Sequence, residues 1–134
     1  MIDAVNKAIY TKLSGYSALT SQLGSVTAVY FAQAPLGAAL PYIVYSIASG
    51  GEDNDTPLDA GDISYTVKGV AKTALSAGAI ADSIRDALHE QTMTIDSPWT
   101  VYRCQHEAVI MYPENVERDQ YWHAGGNYRI KFSV

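Results

Sequence analysis

The densest group of side chains that could do chemistry is an acidic stretch near the middle of the chain. Residues 50–62 contain five carboxylates and no basic side chain: Glu52, Asp53, Asp55, Asp59 and Asp62. Carboxylates at alternate positions are typical of calcium-binding loops, in which the first, third and fifth residues supply oxygen ligands. The first hypothesis for this stretch is therefore a metal site.

The spacing of these carboxylates does not fit a calcium loop. Counting from Asp53, Pro57 stands where the third ligand belongs, no glycine follows it, and the closing twelfth position is Ser64 instead of a glutamate. Two other interpretations stay open: a solvated loop, and a loop that becomes ordered against a partner. Of the three, the solvated loop is the simplest and metal binding is the least supported.

The histidines and the single cysteine are the other candidates for chemistry. Cys104 and His106 would share one face of a strand, because side chains alternate, and a nucleophile–base pair needs that proximity. No orienting acid or oxyanion-hole turn is evident, so a half-buried structural cysteine is the better interpretation. His89 and His106 each precede a glutamate but lack a second histidine four residues later, which excludes the zinc-protease motif.

No other catalytic or cofactor-binding motif is present in the sequence. It contains no Gly-x-Ser-x-Gly elbow, no phosphate-cradling glycine loop and no dinucleotide fingerprint. We therefore expect a protein that is not an enzyme and that holds neither a cofactor nor a metal ion.

Aromatic side chains are the remaining feature that could mediate function. Ten tyrosines and two tryptophans occur in the chain, many in or beside segments with strand patterning. Tyrosine is frequent at protein–protein contacts because it buries apolar area and keeps a hydroxyl group for a partner. Packing within the protomer explains part of this set. The rest favours a subunit of an assembly.

The composition limits the class of protein. A chain of 134 residues, 48% hydrophobic and 17% charged, predicts one soluble domain over residues 1–134. One cysteine excludes an intrachain disulfide and fits a reducing compartment. The net charge of −5 opposes binding to phosphate backbones. The longest weakly polar run is about ten residues where a membrane span needs about 20, so we expect no membrane contact.

Apolar periodicity and turn residues predict the order of elements. The first half is predicted to contain a helix ending at Gly15, a short helical piece capped by Ser17, a short strand within 26–32, and strands at 41–47 and 63–71. The second half is predicted to contain a helix from Thr73 or Ser76 to about Gln91, one strand or a bent pair of strands at 99–112, and a strand at 128–134. Residues 113–119 are predicted as a polar loop, and Gly125-Gly126-Asn127 as a turn or bulge.

This order of elements favours an α+β fold. Strands interrupted by two main helices, without βαβ regularity, predict a single domain in which both helices pack on one face of an antiparallel or mixed β-sheet. The strand count and pairing beyond residue 99 stay open.

The same order resembles a known protein family. The features that carry the resemblance are 18–24 (Ala-Leu-Thr-Ser-Gln-Leu-Gly), Val29-Tyr30, Pro35-x-Gly37 and 40–44 (Leu-Pro-Tyr-Ile-Val). They resemble the start of phage tail terminator (tail completion) proteins, which cap the tail tube of long-tailed phages and join it to the head. The acidic stretch, the second helix, Trp122-His123 and the closing strand fit the same layout.

The resemblance implies a non-enzymatic protomer that assembles as a hexameric ring in the virion. One side of the ring would contact the tail-tube protein and the other the head–tail connector, at the head–tail junction of a particle assembled in the host cytoplasm. DNA would pass through the lumen without specific binding, because an acidic wall repels phosphate. The ring-interface candidates are Tyr42, Tyr45, Tyr65, Trp122 and Tyr128; the five carboxylates are candidates for facing the lumen or a tail-tube partner.

Three alternatives remain beside this interpretation. The nearest is another head–tail connector or a tail-tube subunit. The second is a small-ligand or peptide-binding module that uses the tyrosine-rich sheet. The third is a small hydrolase built on Cys104 and His106.

Overall fold

A computed structural model describes residues 1–25, 27–53 and 59–134, which are organised around a five-stranded sheet. The elements are α1 (Ile2–Ser14), α2 (Ser17–Thr20), β1 (Val29–Phe31), β2 (Tyr42–Asp53), β3 (Ala60–Ala71), α3 (Ala74–Leu88), β4 (Thr100–Val116) and β5 (Asp119–Ser133). The strand order is β1-β2-β3-β5-β4, with β1 parallel to β2 and the other neighbours antiparallel. The open, mixed sheet confirms the predicted α+β fold.

The two faces of the sheet have different chemistry. On β3, Ile63, Tyr65 and Val67 are buried and alternate with half-buried polar side chains. The helices cover the apolar face: the Tyr65 hydroxyl donates to Asn6 Oδ1 of α1, and Ile80 of α3 lies over Gly69 of β3. The prediction that both main helices pack on one face is thus confirmed. The opposite face of the sheet, called the open face below, has no helix on it within the part of the chain that the structure describes.

The core lies where β3 and β5 pair beneath α3. Tyr65 is directly opposite Tyr128, and Ile63 is opposite Ile130. All four side chains are buried, as are the residues of α3 that face them. Burial of these large apolar groups supplies most of the driving force for the fold, at roughly 25 cal/mol for each Å² removed from water.

Helix α3 begins and ends at identifiable signals. Thr73 caps it, because its hydroxyl oxygen accepts a hydrogen bond from the Ser76 backbone N–H at 3.2 Å. The helix ends at Leu88, three residues before the predicted end, since His89 is extended and Glu90 has a φ of 55°. The Glu90 N–H then donates to the Cys104 carbonyl at 2.8 Å, which ties the end of the helix to β4.

Strands β4 and β5 form one long hairpin, and the predicted loop at 113–119 is wrong. β4 continues through Pro113 to Val116, and β5 starts at Asp119 after a turn of two residues. Pro113 is tolerated because β4 lies at the edge of the sheet, where a missing backbone N–H is least harmful.

Of the two predictions for Gly125-Gly126-Asn127, the turn is wrong, whereas a β-bulge or irregularity does occur beside Asn127, because the register of β4 against β5 shifts between His106 and Ala108. These residues lie in the middle of β5 and pair with β3 on one side and β4 on the other. A Cβ on Gly125 would collide with the Val67 carbonyl, and one on Gly126 with the Ala108 carbonyl and the His106 ring. Glycine is required here by the close approach of neighbouring strands, not by a change of direction.

The acidic stretch is mostly strand. β2 runs to Asp53 and β3 starts at Ala60, with Glu52 paired with Gly61 and Asp53 paired with Ala60. The predicted loop at 50–62 is corrected at both ends, because regular antiparallel pairing continues through its glycines. Residues 54–58, which include Asp55, lie outside the described part of the chain.

Candidate interaction surfaces

The acidic residues are placed at one end of the β2–β3 hairpin. Glu52, Asp53 and Asp59 are exposed there, whereas Asp62 is half-buried. Asp62 has basic neighbours that the local sequence did not reveal. Lys131 is its partner in the strand register, and Arg129 Nη1 lies 3.8 Å from its Oδ2. Asp62 is therefore partly neutralised by β5, and among the described residues of the stretch the exposed carboxylates are Glu52, Asp53 and Asp59.

Metal-binding geometry was the alternative interpretation of this stretch. Within residues 1–25, 27–53 and 59–134, no three His, Cys, Asp or Glu side chains lie close enough to share a metal ion. Asp55 is outside these ranges, so its side chain has no described position.

Three of the five ring-interface candidates are core residues. Tyr65, Tyr128 and Tyr45 are almost fully buried within the protomer, and burial raises the pKa of each hydroxyl. Their prediction as contact residues is corrected, because the helices already cover the face from which they project. Tyr42 and Trp122 are half-buried at the end of the sheet nearest the start of β2 and keep some accessible surface.

Cys104 and His106 share a face of β4 but do not form a nucleophile site. The Cys104 side chain is fully buried, and burial raises the pKa of its thiol to about 12. The reactive thiolate is therefore not populated at neutral pH. His106 packs its ring 5.0 Å from that of Tyr128, and its backbone N–H donates to His89 Nδ1 at 3.0 Å. The hydrolase alternative loses its nucleophile, since Cys104 is a structural core residue.

A cleft lies on the open face between two projecting segments. One wall is formed by residues 32–38 and the other by the end of the β4–β5 hairpin, with Glu114, Val116 and Tyr121. Val44, Lys68 and Val70 contribute to its floor, and its volume is about 570 Å³. The sequence did not predict this cleft, because its walls come from segments more than 70 residues apart.

The polar groups of the cleft are held by His123. Its Nε2 lies 2.5 Å from Glu114 Oε2, and its ring stacks on that of Tyr112 with centroids 4.7 Å apart. The Tyr112 hydroxyl in turn accepts a hydrogen bond from Lys68 Nζ at 2.7 Å. Burial, and then the charge of Lys68, lowers the pKa of His123, and Glu114 offsets part of the shift. A neutral His123 donates its Nε2–H to Glu114.

A second concave surface is apolar and lies on the helix side of the sheet. It is a groove of about 420 Å³ between α3 and β4. Its exposed large apolar side chains are Leu75 at 87%, Val109 at 79% and Met111 at 49%. Gly78, Ala79 and Asp82 are among the other α3 residues that line it, and we call this surface the α3–β4 groove. Large apolar side chains exposed together are typical of interaction sites.

A single apolar side chain projects from the other flank of the sheet. Leu36 is fully exposed in the segment between β1 and β2. Sequence analysis identified the Pro35-x-Gly37 turn signal but not the exposed leucine. The sequence could have indicated one member of the groove, because Leu75 lies outside the buried apolar face of α3, which is formed by Ile80, Ile84 and Leu88.

The fold and these surfaces define a small α+β protomer with large apolar side chains exposed on its surface. A family model described as tail completion protein gp17 matches residues 7–114, most of the chain. The chain belongs to this family, which confirms the resemblance to tail completion proteins. It is a structural protein of a virion tail.

A solved structure shares the fold over nearly the whole chain. It is a chain in a structure of the virion of a native gene transfer agent particle, with 20% identity and a TM-score of 0.76. The match covers 99% of this chain and 97% of that chain. A comparison of the sequence with curated proteins finds no match. In the described part of the chain, no helix is long and apolar enough to cross a membrane.

Proposed function

We propose that this protein forms a ring that caps the end of a phage tail tube and joins the tail to the head connector. The observation that carries the proposal is the exposed apolar surface on both flanks of a sheet whose core is already complete. Leu36 projects from one flank, and Leu75 and Val109 line a groove on the other. Surface of this kind favours assembly, and family membership supports the tail as the place of assembly.

A ring follows from the difference between the two flanks. Contact between unlike surfaces is heterologous, and repeated heterologous contacts close into a ring when the rotation between subunits allows it. A closed ring has two different ends, so it can contact a tail tube on one side and a connector on the other. The resemblance to tail terminators implies six subunits. That the same fold occurs in the gene transfer agent virion structure supports the use of this fold in a particle.

The acidic residues have a role in this proposal. Glu52, Asp53 and Asp59 project from one end of the sheet. At the lumen they would repel the phosphates of passing DNA, and the net charge of −5 acts in the same direction. We propose that the five carboxylates of the stretch, Glu52, Asp53, Asp55, Asp59 and Asp62, are the residues that face the lumen or the tail-tube partner. Tyr42 and Trp122 remain candidates for contact between subunits.

The proposal is tested by measuring mass and tube structure together. We expect the purified protein, alone or mixed with tail tubes, to form a species of about six 14.5 kDa chains. Electron microscopy of the mixture should show one ring at one end of each tube, at the head–tail junction of complete particles. Stacked rings along the tube would indicate a tube subunit instead. A protein that stays monomeric and never associates with tubes contradicts the proposal.

The same images test the acidic residues. A map of the assembled ring is expected to place Glu52, Asp53 and Asp59 at the lumen or against the tube. Their placement on the outer wall, away from the axis and from every neighbour, would contradict that part of the proposal alone.

A further inference from the structure

We propose that neighbouring protomers meet through the Leu36 turn (residues 35–38) of one copy and the α3–β4 groove of the next. The occupant of the groove is thus a second copy of this chain. This inference rests on the proposed ring and assigns the two surfaces that build it.

The Leu36 turn is built to present one apolar side chain. The Ala38 N–H donates to the Pro35 carbonyl at 3.1 Å, and Gly37 has a φ of 81°. This is the geometry of a type II turn with Leu36 at its second position. Because a hydrogen-bonded turn holds the backbone, Leu36 loses little conformational entropy when it enters a pocket. A fully exposed leucine held in this way is available for a contact with a second copy.

The α3–β4 groove offers a matching recess. Leu75 and Val109 form its rims, and a Cβ added at Gly78 would meet no atom within 4 Å. Glycine inside a helix destabilises it by about 1 kcal/mol relative to alanine, and no contact within the described protomer requires it here. The recess of about 420 Å³ can hold the Leu36 side chain and the ring of Pro35.

The charge of both surfaces suits this pairing. Residues 32–41 contain no charged side chain. Asp82 is the one charged residue among the described residues that line the groove. Joining the two surfaces therefore removes apolar area from water while desolvating almost no charge, which is the pattern of an interface core.

The positions of the two surfaces fit a side-by-side ring. β1 and β4 are the opposite edges of the sheet. Met111 of the groove lies in the same row of the sheet as Val29, the first residue of β1, because Met111, Ala124, Gly69, Ile43 and Val29 are successive partners across the strands. The Leu36 turn follows β1 in the chain, whereas the groove lies beside β4. Unlike surfaces associated with opposite edges of the sheet suit a heterologous contact between identical subunits.

Charge insertion is the first test. Leu36→Asp and Val109→Asp alter exposed side chains, so both variants should fold normally by circular dichroism. Each should weaken association between subunits about 30-fold or more, the loss expected for one buried leucine or valine. Tyr102→Asp is the matched control, since Tyr102 is 59% exposed on the same strand but does not line the groove. It should assemble as the wild type does. Rings that persist in Leu36→Asp overturn the inference.

Cysteine crosslinking on tail tubes is the second test. Cys104 is fully buried, so the unaltered chain offers no accessible thiol at this site. The double variant Leu36→Cys/Val109→Cys should give a ladder of disulfide-linked species up to the closed ring on oxidation. Neither single variant should give one. Dimers from Val109→Cys alone would mean that groove meets groove, which overturns the pairing.

The two tests separate this inference from the proposed function. Wild-type protein that never forms rings with tubes overturns the proposed function, and the inference with it. If the wild type forms rings and Leu36→Asp forms them equally well, the inference is overturned while the proposed function stands, and the double cysteine variant should then give no ladder.

Discussion

The part of the sheet under α3, in β3 and β5 (the helix-covered part), and the hairpin arm (residues 107–120) have opposite environments. Both have strand geometry and apolar side chains. Ile130 and Phe132 of the helix-covered part are fully buried, whereas Val109 and Met111 of the arm are largely exposed. Burial differs between the two regions because α3 packs mainly on β3 and β5 and does not cover Val109 and Met111 of β4.

This comparison separates residues that stabilise the protomer from residues that contribute little to its stability. An exposed apolar side chain contributes little to folding, because it remains in water after folding. We propose that the exposed apolar groups of the arm are covered by a neighbouring subunit. The helix-covered part carries the core on which the arm is mounted.

Truncating one side chain in the helix-covered part and one in the arm should give the largest difference in the free energy of unfolding. We expect Phe132→Ala to lower the free energy of unfolding by about 3–5 kcal/mol, because it leaves a cavity beneath α3. Val109→Ala should change it by less than about 0.5 kcal/mol. Urea denaturation of the two variants, at concentrations at which each is monomeric, measures both changes in the free energy of unfolding. Equal losses would mean that the arm belongs to the core.

Substitution of Gly126, at the base of the arm, should give the second-largest loss of stability. Gly126→Ala should destabilise the fold by about 1–3 kcal/mol, because the new methyl group overlaps the Ala108 carbonyl. Gly51→Ala is the control, since a Cβ there meets nothing within 4 Å. Thermal unfolding should distinguish the two variants. A neutral Gly126→Ala would show that the arm can move away from β5 without loss.

Acid should destabilise the base of the arm through His123. Burial and Lys68 lower the pKa of His123 in the folded state, so the unfolded chain binds the proton first. Stability is therefore retained above the ordinary pKa of about 6.5 and lost as pH falls through the folded value, by at most about 1.4 kcal/mol per pH unit. His106, whose pKa burial also lowers, acts in the same direction.

Substitution of His123 tests this pH dependence. His123→Gln keeps a donor for Glu114 but does not titrate. Urea denaturation from pH 7 to 5 should show a shallower decline in the variant than in the wild type, with the His106 contribution remaining. Identical slopes would exclude His123 as a source of the dependence.

Loss of the α3 cap should give the smallest effect and should act on the helix-covered part. Thr73→Ala removes the acceptor for the Ser76 N–H and should destabilise the fold by about 1 kcal/mol. Hydrogen exchange should accelerate in the first turn of α3 while the end of the arm is unchanged. Thr94→Ala, an exposed threonine between α3 and β4, should change neither.

The sequence by itself determined the elements whose signals are local. The helix ending near Gly15, the strand after Pro41 and the alternation near the end of the chain all matched the structure, and Thr73 is the one of the two predicted cap candidates that caps α3. Helix period, capping and strand alternation depend on residues within a few positions of one another. The α+β class follows from the order of those elements.

Tertiary structure alone decided features that depend on distant partners. Pro113 and the Gly125-Gly126 pair carry local signals for a loop and a turn, yet both lie in strands, because an edge position tolerates proline and close strand packing requires glycine. The exposed or buried state of a tyrosine likewise depends on where α3 lies. Strand alternation places Tyr65 in phase with Ile63, and Tyr128 in phase with Ile130, but only the packing of α3 shows that both rings are buried.

Of the two proposed contact surfaces, one could be predicted from the sequence and the other could not. The Pro35-x-Gly37 turn was evident from sequence, because proline and glycine limit the backbone locally. The groove that we propose receives Leu36 was not, since Leu75 and Val109 are 34 positions apart and become neighbours only when α3 packs beside β4. Local backbone preferences are set by the sequence itself, but contacts between distant segments exist only once the chain has folded.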